Sequence, residues 1–189
     1  PTPEPEPTPV PKTYHVDQLV LEASNVLLVK LSEDGEEAQA IYAVDCDELI
    51  YPASTLKMLT ALTIRDIAQP DEEVKIGMEV YIPPLDAARA GLEYGMTMTV
   101  RDLLEGLLLP SGADAAYVLG VYCGRKLLND EKASFEDAIR AFVDEMNKKA
   151  DAIGAANTTA RNVVGLDDSG QIPPGYRAGF LCQDHSYRS

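Results

Sequence analysis

Histidine is almost missing from this chain. Only His15 and His185 occur, one in a proline-rich leader and one in the final segment, so neither is placed to serve as a catalytic imidazole. Cysteine is scarce as well. Cys46, Cys123 and Cys182 are odd in number and show no metal-type spacing, which argues against a disulfide framework or a zinc site and leaves buried or incidental thiols. Positive charge is short: 16 Lys and Arg stand against 31 Asp and Glu, a net charge of −15. That balance disfavours nucleic acid and anionic membrane surfaces as partners. No apolar run is long enough to span a bilayer, so membrane attachment would need an anchor outside this sequence.

What is present is a core. A hydrophobic content of 46% in 189 residues suits one domain of ordinary size, or part of a larger one. The sequence begins at Pro1 rather than at a methionine, which fits a removed signal peptide or a boundary set elsewhere. Residues 1–13 form a Pro-rich tether: PTPEPEPTPVPK can build neither a ladder nor a helix and reads as extended, solvated chain.

Two apolar runs follow, Asn25 to Leu31 and Ala38 to Val44, separated by the turn chemistry of Ser32-Glu33-Asp34-Gly35. They predict an antiparallel hairpin. A helix is predicted from Leu56 to Ala68, ending before Pro70. Its apolar residues point all round, so it is expected to be buried. Residues 71–98 read as irregular, with Pro83-Pro84 and several glycines. Thr99 and Asp102 have the spacing of a capping box opening a helix through Leu109. Pro110-Ser111-Gly112 breaks that helix, and Ala113 to Leu128 restarts it. Ser134 opens a further helix with an apolar stripe of Phe135, Ala138, Ile139, Phe142, Val143, Met146, Ala150 and Ile153, stopped by Gly154.

The stretch with chemical content is Tyr51-Pro52-Ala53-Ser54-Thr55-Leu56-Lys57. Positions i and i+3 share a helix face, so Ser54 and Lys57 are expected to be neighbours. A serine hydroxyl needs a base to become a good nucleophile, and a lysine desolvated by apolar neighbours can be that base. The competing reading is a helix N-cap serine followed by a surface lysine one turn on. The spacing alone favours that competitor; the rest of the chain reverses the balance.

Five segments occur in a meaningful order. They are Pro52-Ala53-Ser54-Thr55-Leu56-Lys57; Gly95 to Leu104; Leu109-Pro110-Ser111-Gly112-Ala113-Asp114-Ala115-Ala116; Phe142 to Ala150; and Gly165-Leu166-Asp167-Asp168. Together they resemble the D-alanyl-D-alanine carboxypeptidases, the low-molecular-mass penicillin-binding proteins of serine peptidase family S11, over about residues 25–170. The resemblance implies an α/β (α+β) fold of β-lactamase/transpeptidase type. It implies Ser54 as nucleophile, Lys57 as general base and Ser111 as proton relay, with Gly112 and Ala113 at substrate-binding positions. The substrate would be a peptidoglycan stem peptide ending in D-Ala-D-Ala, with β-lactams as covalent inhibitors and no metal or organic cofactor. An exported bacterial protein of the cell envelope is expected.

Two departures from the family pattern matter. The usual Asn of the second motif, which in the family bonds substrate and the catalytic lysine, is Ala113. The third motif, Lys-Thr-Gly, is absent; the sole Lys-Thr is Lys12-Thr13, followed by Tyr14. That motif would supply a cation for the substrate carboxylate and one oxyanion-hole N–H, with the N–H of Ser54 as the other. Loss of one such donor typically costs about 3 kcal/mol, or about 10²–10³ in rate. The segment 171–189 shows neither periodicity nor an evident family motif and reads as an atypical tail, consistent with a truncated or frameshifted reading of a longer gene. Residues 14–170 are thus expected to form a partial domain: an N-terminal β-hairpin with an exposed apolar edge, a helical subdomain from about residue 72 to 154, and no partner strands for the hairpin. Two other functions stand beside the carboxypeptidase: a non-catalytic peptidoglycan- or partner-binding module on the same scaffold, and a serine β-lactamase.

Overall fold

The computed structural model describes residues 21–33, 38–46, 48, 50–155 and 157–166. The Pro-rich tether, His15, His185, Cys182, Asp167-Asp168 and the segment 171–189 lie outside the described residues.

The chain divides into two units, the first ending at Cys46 and the second beginning at Asp47. The first is the predicted hairpin, β1 (Val26–Leu31) paired antiparallel with β2 (Ala38–Val44). Its register runs from Val26 opposite Val44 to Leu31 opposite Ala38, with a shift between Leu28 and Val29. Leu28 pairs with Tyr42 and Val29 with Ala40, so Ile41 is the extra residue of a bulge. Asn25 Nδ2 donates to Asp45 O at the hairpin mouth. Leu28 and Leu31 are exposed, and among the described residues no third strand joins this sheet.

The second unit is helical. In chain order it contains α1 (Leu56–Ile67), β3 (Glu73–Lys75), β4 (Thr97–Thr99), α2 (Val100–Leu108), α3 (Ala113–Leu128) and α4 (Phe135–Ala152). The stretch read from sequence as irregular carries the small antiparallel pair β3–β4, Glu73 opposite Thr99 and Lys75 opposite Thr97. Three-residue strands are too short to leave a period-2 signature. The capping box is present: Thr99 Oγ1 accepts from Asp102 N, and Asp102 Oδ2 accepts from Thr99 N. Ser134 caps α4 through Asp137 N. Gly154 follows α4 at φ +82°, a conformation that favours glycine.

α3 is the central helix, packed against α1, α2 and α4, and ten of its residues are buried. Its composition explains why that is sterically feasible. Gly120 and Gly124 stand one turn apart, and a Cβ on Gly124 would come 1.9 Å from Ala138 O of α4. The backbones of α3 and α4 therefore meet directly there, while Phe142 and Met146 fill the space alongside. The buried cluster continues through Leu56, Leu59, Ile64, Val100, Leu103, Leu107, Val118 and Leu119.

The expectation that α1 is buried all round is corrected. Leu56, Lys57, Leu59, Thr60, Ala61, Thr63 and Ile64 are buried, but Met58 and Leu62 are 51% and 39% exposed. The buried face includes two threonines and a lysine, so an apolar count alone misjudged which side turns inward. Cys123 is buried on α3, where desolvation pushes its thiol up to about 12.

The α3–α4 contact yields a direct test. Gly124→Ala should destabilise the protein by about 1–3 kcal/mol despite the better helix propensity of alanine, because backbone has to move to admit the methyl. Urea denaturation followed by circular dichroism measures it, and an unchanged midpoint would contradict the close approach.

Candidate active site

Pro52 enters a short 3-10 turn, Ala53–Thr55, that runs straight into α1. Thr55 N and Thr55 Oγ1 both bond to Pro52 O, which pins the turn. Ala53 has φ +46°, an uncommon conformation for a residue with a Cβ. Ser54 is therefore presented from a constrained turn and is exposed. It makes no cap: the turn and α1 both start without a side-chain cap hydrogen bond. Lys57 is no surface lysine either, being 4% exposed. The N-cap reading of the pair fails on both counts.

The Lys57 amine meets three oxygens. Nζ lies 3.0 Å from Ser54 Oγ, 3.2 Å from Ser111 Oγ and 3.5 Å from Val164 O. Ser111 arrives from the turn between α2 and α3, again in a left-handed conformation at φ +60°. Non-glycine residues held in such regions cost about 1–3 kcal/mol each and persist where the surroundings over-determine them. Burial lowers the Lys57 pKa from its ordinary value of 10.5, since desolvation penalises the ammonium. The lysine thus reaches its neutral form more readily than a solvated one, and a neutral amine 3.0 Å from a hydroxyl can accept its proton.

The turn carrying Ser111 is held from behind. Gly112 N donates to Gly106 O, and a Cβ on Gly112 would come 2.5 Å from that same oxygen and 2.9 Å from Ala90. Ala113 is 1% exposed, and its N–H is taken by Ala88 O. So of the five residues singled out in the sequence, Ser54, Lys57 and Ser111 converge. Gly112 and Ala113 lie beside them but spend their N–H groups on protein partners and offer no polar side chain. Next to them Asp114, fully buried, accepts from Ala90 N, Gly91 N, Leu92 N and Ala115 N. It cradles the 88–92 loop against the start of α3. The sequence reading quoted Asp114 within a motif without giving it this role.

The third wall, residues 162–166, was seen in the sequence only as a Gly-Leu-Asp segment. Asn162 Oδ1 accepts from Val164 N and Gly165 N, and its Nδ2 donates to Leu166 O. Thr60 Oγ1 of α1 donates to Val163 O at 2.9 Å. Gly165, at φ +75°, lies so close to the nucleophile turn that a Cβ would come 1.8 Å from Ala53 O.

The profile of the D-alanyl-D-alanine carboxypeptidase family, peptidase family S11, matches residues 13–186. The chain belongs to this family. The match is wider than the span of the five motifs and takes in most of the segment 171–189. Among curated relatives, the D-alanyl-D-alanine carboxypeptidase DacF of Bacillus subtilis is 28% identical over 171 residues, covering 88% of this chain and 40% of the relative. DacB2 of Mycobacterium tuberculosis is 32% identical over 137 residues, covering 72% of this chain and 42% of the relative. Among solved structures, a serine-to-alanine variant of the Streptomyces K15 DD-transpeptidase superposes with a TM-score of 0.69 at 26% identity, covering 80% of this chain and 56% of that one. The D-alanyl-D-alanine carboxypeptidase of Mycobacterium tuberculosis superposes with a TM-score of 0.60 at 29% identity, covering 83% and 50%. The mixed helix-and-strand fold is thus that of the DD-peptidases, of which the chain represents a part. It spans about 40% of the length of the curated relatives it matches.

Gly165→Ala tests the fit between the third wall and the nucleophile turn. The substituted chain should fold, but the displaced Ala53–Thr55 turn should slow any reaction at Ser54 on the order of 10²-fold. Active-site labelling rates of the two proteins, compared at equal circular dichroism, check this.

Proposed function

We propose that this chain carries the acylation half of a serine-type D-Ala-D-Ala carboxypeptidase, acting on peptidoglycan stem peptides outside the cytoplasmic membrane. One observation supports this above the others: a buried lysine amine sits within hydrogen-bond distance of both an exposed serine three residues before it and a second serine 54 residues after it.

The chemistry follows from those distances. Ser54 Oγ attacks the carbonyl carbon between the two terminal D-alanines, and its proton passes to the neutral Nζ of Lys57 as the C–O bond forms. The carbonyl π electrons move onto oxygen, giving a tetrahedral intermediate. On collapse the C–N bond breaks. The leaving amine takes a proton from the Ser111 hydroxyl, which is refilled from the Lys57 ammonium. D-Alanine departs, and the remaining peptide is an ester on Ser54 that water later hydrolyses. A β-lactam follows the first steps, but its leaving amine stays tethered, so the ester persists. Among the described residues, the oxygens bonded to Lys57 are two hydroxyls and a carbonyl.

Without the Lys-Thr-Gly motif, acylation should be about 10²–10³-fold slower than in an enzyme with a full oxyanion hole. A fluorescent penicillin should still label the purified chain, and Ser54→Ala should abolish labelling. Lys57→Ala should slow it by about 10²–10⁴-fold. The labelling rate should climb with pH to a plateau, with a midpoint below 10.5, because the neutral amine is the reactive form and burial lowers its pKa. A folded chain that takes no label, or labelling that survives Ser54→Ala, would sink the proposal and leave a binding module on the same scaffold.

A further inference from the structure

The third oxygen on Lys57 has a chemistry the two serines lack. A hydroxyl can donate or accept, whereas a carbonyl can only accept. Lysine Nζ has three positions besides its bond to Cε, and here they face Ser54 Oγ, Ser111 Oγ and Val164 O. The position facing Val164 O must therefore carry a hydrogen. When the amine is neutral, its lone pair is left to one of the two serine hydroxyls, which is where proton transfer needs it. Ala113 offers no side-chain acceptor to take over this duty, so the carbonyl is the one acceptor-only group bonded to Nζ among the described residues.

A backbone carbonyl can set a rotor only if it is itself immobile. Asn162 bonds across three consecutive residues, accepting from Val164 N at 3.0 Å and Gly165 N at 2.7 Å and donating to Leu166 O at 2.8 Å. Val163 and Val164 are buried, and Thr60 ties the Val163 carbonyl back to α1, the helix that carries Lys57. We propose that Asn162 is a positioning residue for acylation: it clamps the Val164 carbonyl against Lys57 so that the lone pair of the neutral lysine can point only at Ser54 or Ser111. Asp114 of α3 is bonded to Ala90, Gly91, Leu92 and Ala115, and Lys149 of α4 pairs with Asp66.

The inference rests on the acylation chemistry proposed above, so its test has two independent readouts: the penicillin acylation rate at saturation, and titration of Lys57 by NMR in a chain labelled with [13C]lysine. Asn162→Ala should slow acylation by about 10–10²-fold while the pre-acylation dissociation constant stays within about twofold. In the same variant the Lys57 midpoint should move up towards 10.5 as water replaces the loosened segment. Asn162→Ser, whose hydroxyl accepts from an N–H two residues on more weakly and adds no charge, should recover part of both effects. Thr60→Val, which keeps the branched shape but removes the hydroxyl's bonds to Val163 O, Leu56 O and Met146 Sδ, should shift both in the same direction by less. The inference is overturned if amide exchange shows Val164 and Gly165 released in Asn162→Ala while the rate and the Lys57 midpoint stay as in the wild type. If penicillin fails to label even the wild-type chain, the functional proposal falls, and the Lys57 titration alone decides whether the clamp sets the amine.

Discussion

The buried amine of Lys57 is the constraint on which the rest of this structure depends. An ammonium out of water needs oxygen partners, and a neutral amine in the same place needs them arranged so that its lone pair is useful. Three separate parts of the chain converge to meet that need: the turn ahead of α1, the turn between α2 and α3, and the segment after α4. The helices are organised to bring these together. α3 must lie against α4 closely enough to leave no gap, hence Gly120 and Gly124, and the turn leading into it must present Ser111, hence the Asp114 cradle beside it. Of the four described non-glycine residues at positive φ, two, Ala53 and Ser111, belong to the turns that bring the serines to the amine, while Asp45 and Asn129 lie elsewhere.

Much of the scaffold was legible because its signals are local. Capping at Thr99 and Ser134, the break at Pro110-Ser111-Gly112, and the apolar stripe of α4 each depend on side chains a few residues apart, which a sequence displays directly. The hairpin was legible for the same reason, although its bulge was not, since an extra residue in a ladder changes pairing without changing composition. The Ser54–Lys57 pairing was legible as an i, i+3 relation. Its significance came only with the other family segments, whose order identified the fold.

What stayed hidden is long-range or carried by the backbone. No letter marks the Val164 carbonyl, because every residue has one. Asn162 announced nothing, since an Asn before two valines is equally at home in any loop. The exposure of Met58 and Leu62 was misjudged because the inward face of α1 is partly polar: Lys57, Thr60 and Thr63 occupy positions that a hydrophobic count awards to solvent. Residues β-branched or charged in isolation became buried because specific partners awaited them, Val163 O for Thr60 and the two serines for Lys57.

The spread of those partners along the chain has a consequence for folding. Lys57 and Val164 are separated by 107 positions, and everything between them, α2, α3 and α4 included, has to be in place before the amine acquires its third oxygen. Until the segment after α4 docks, Lys57 lacks the carbonyl that completes its set of three oxygens, so the surroundings of the amine are a product of tertiary folding and not of the Ser54–Lys57 spacing alone.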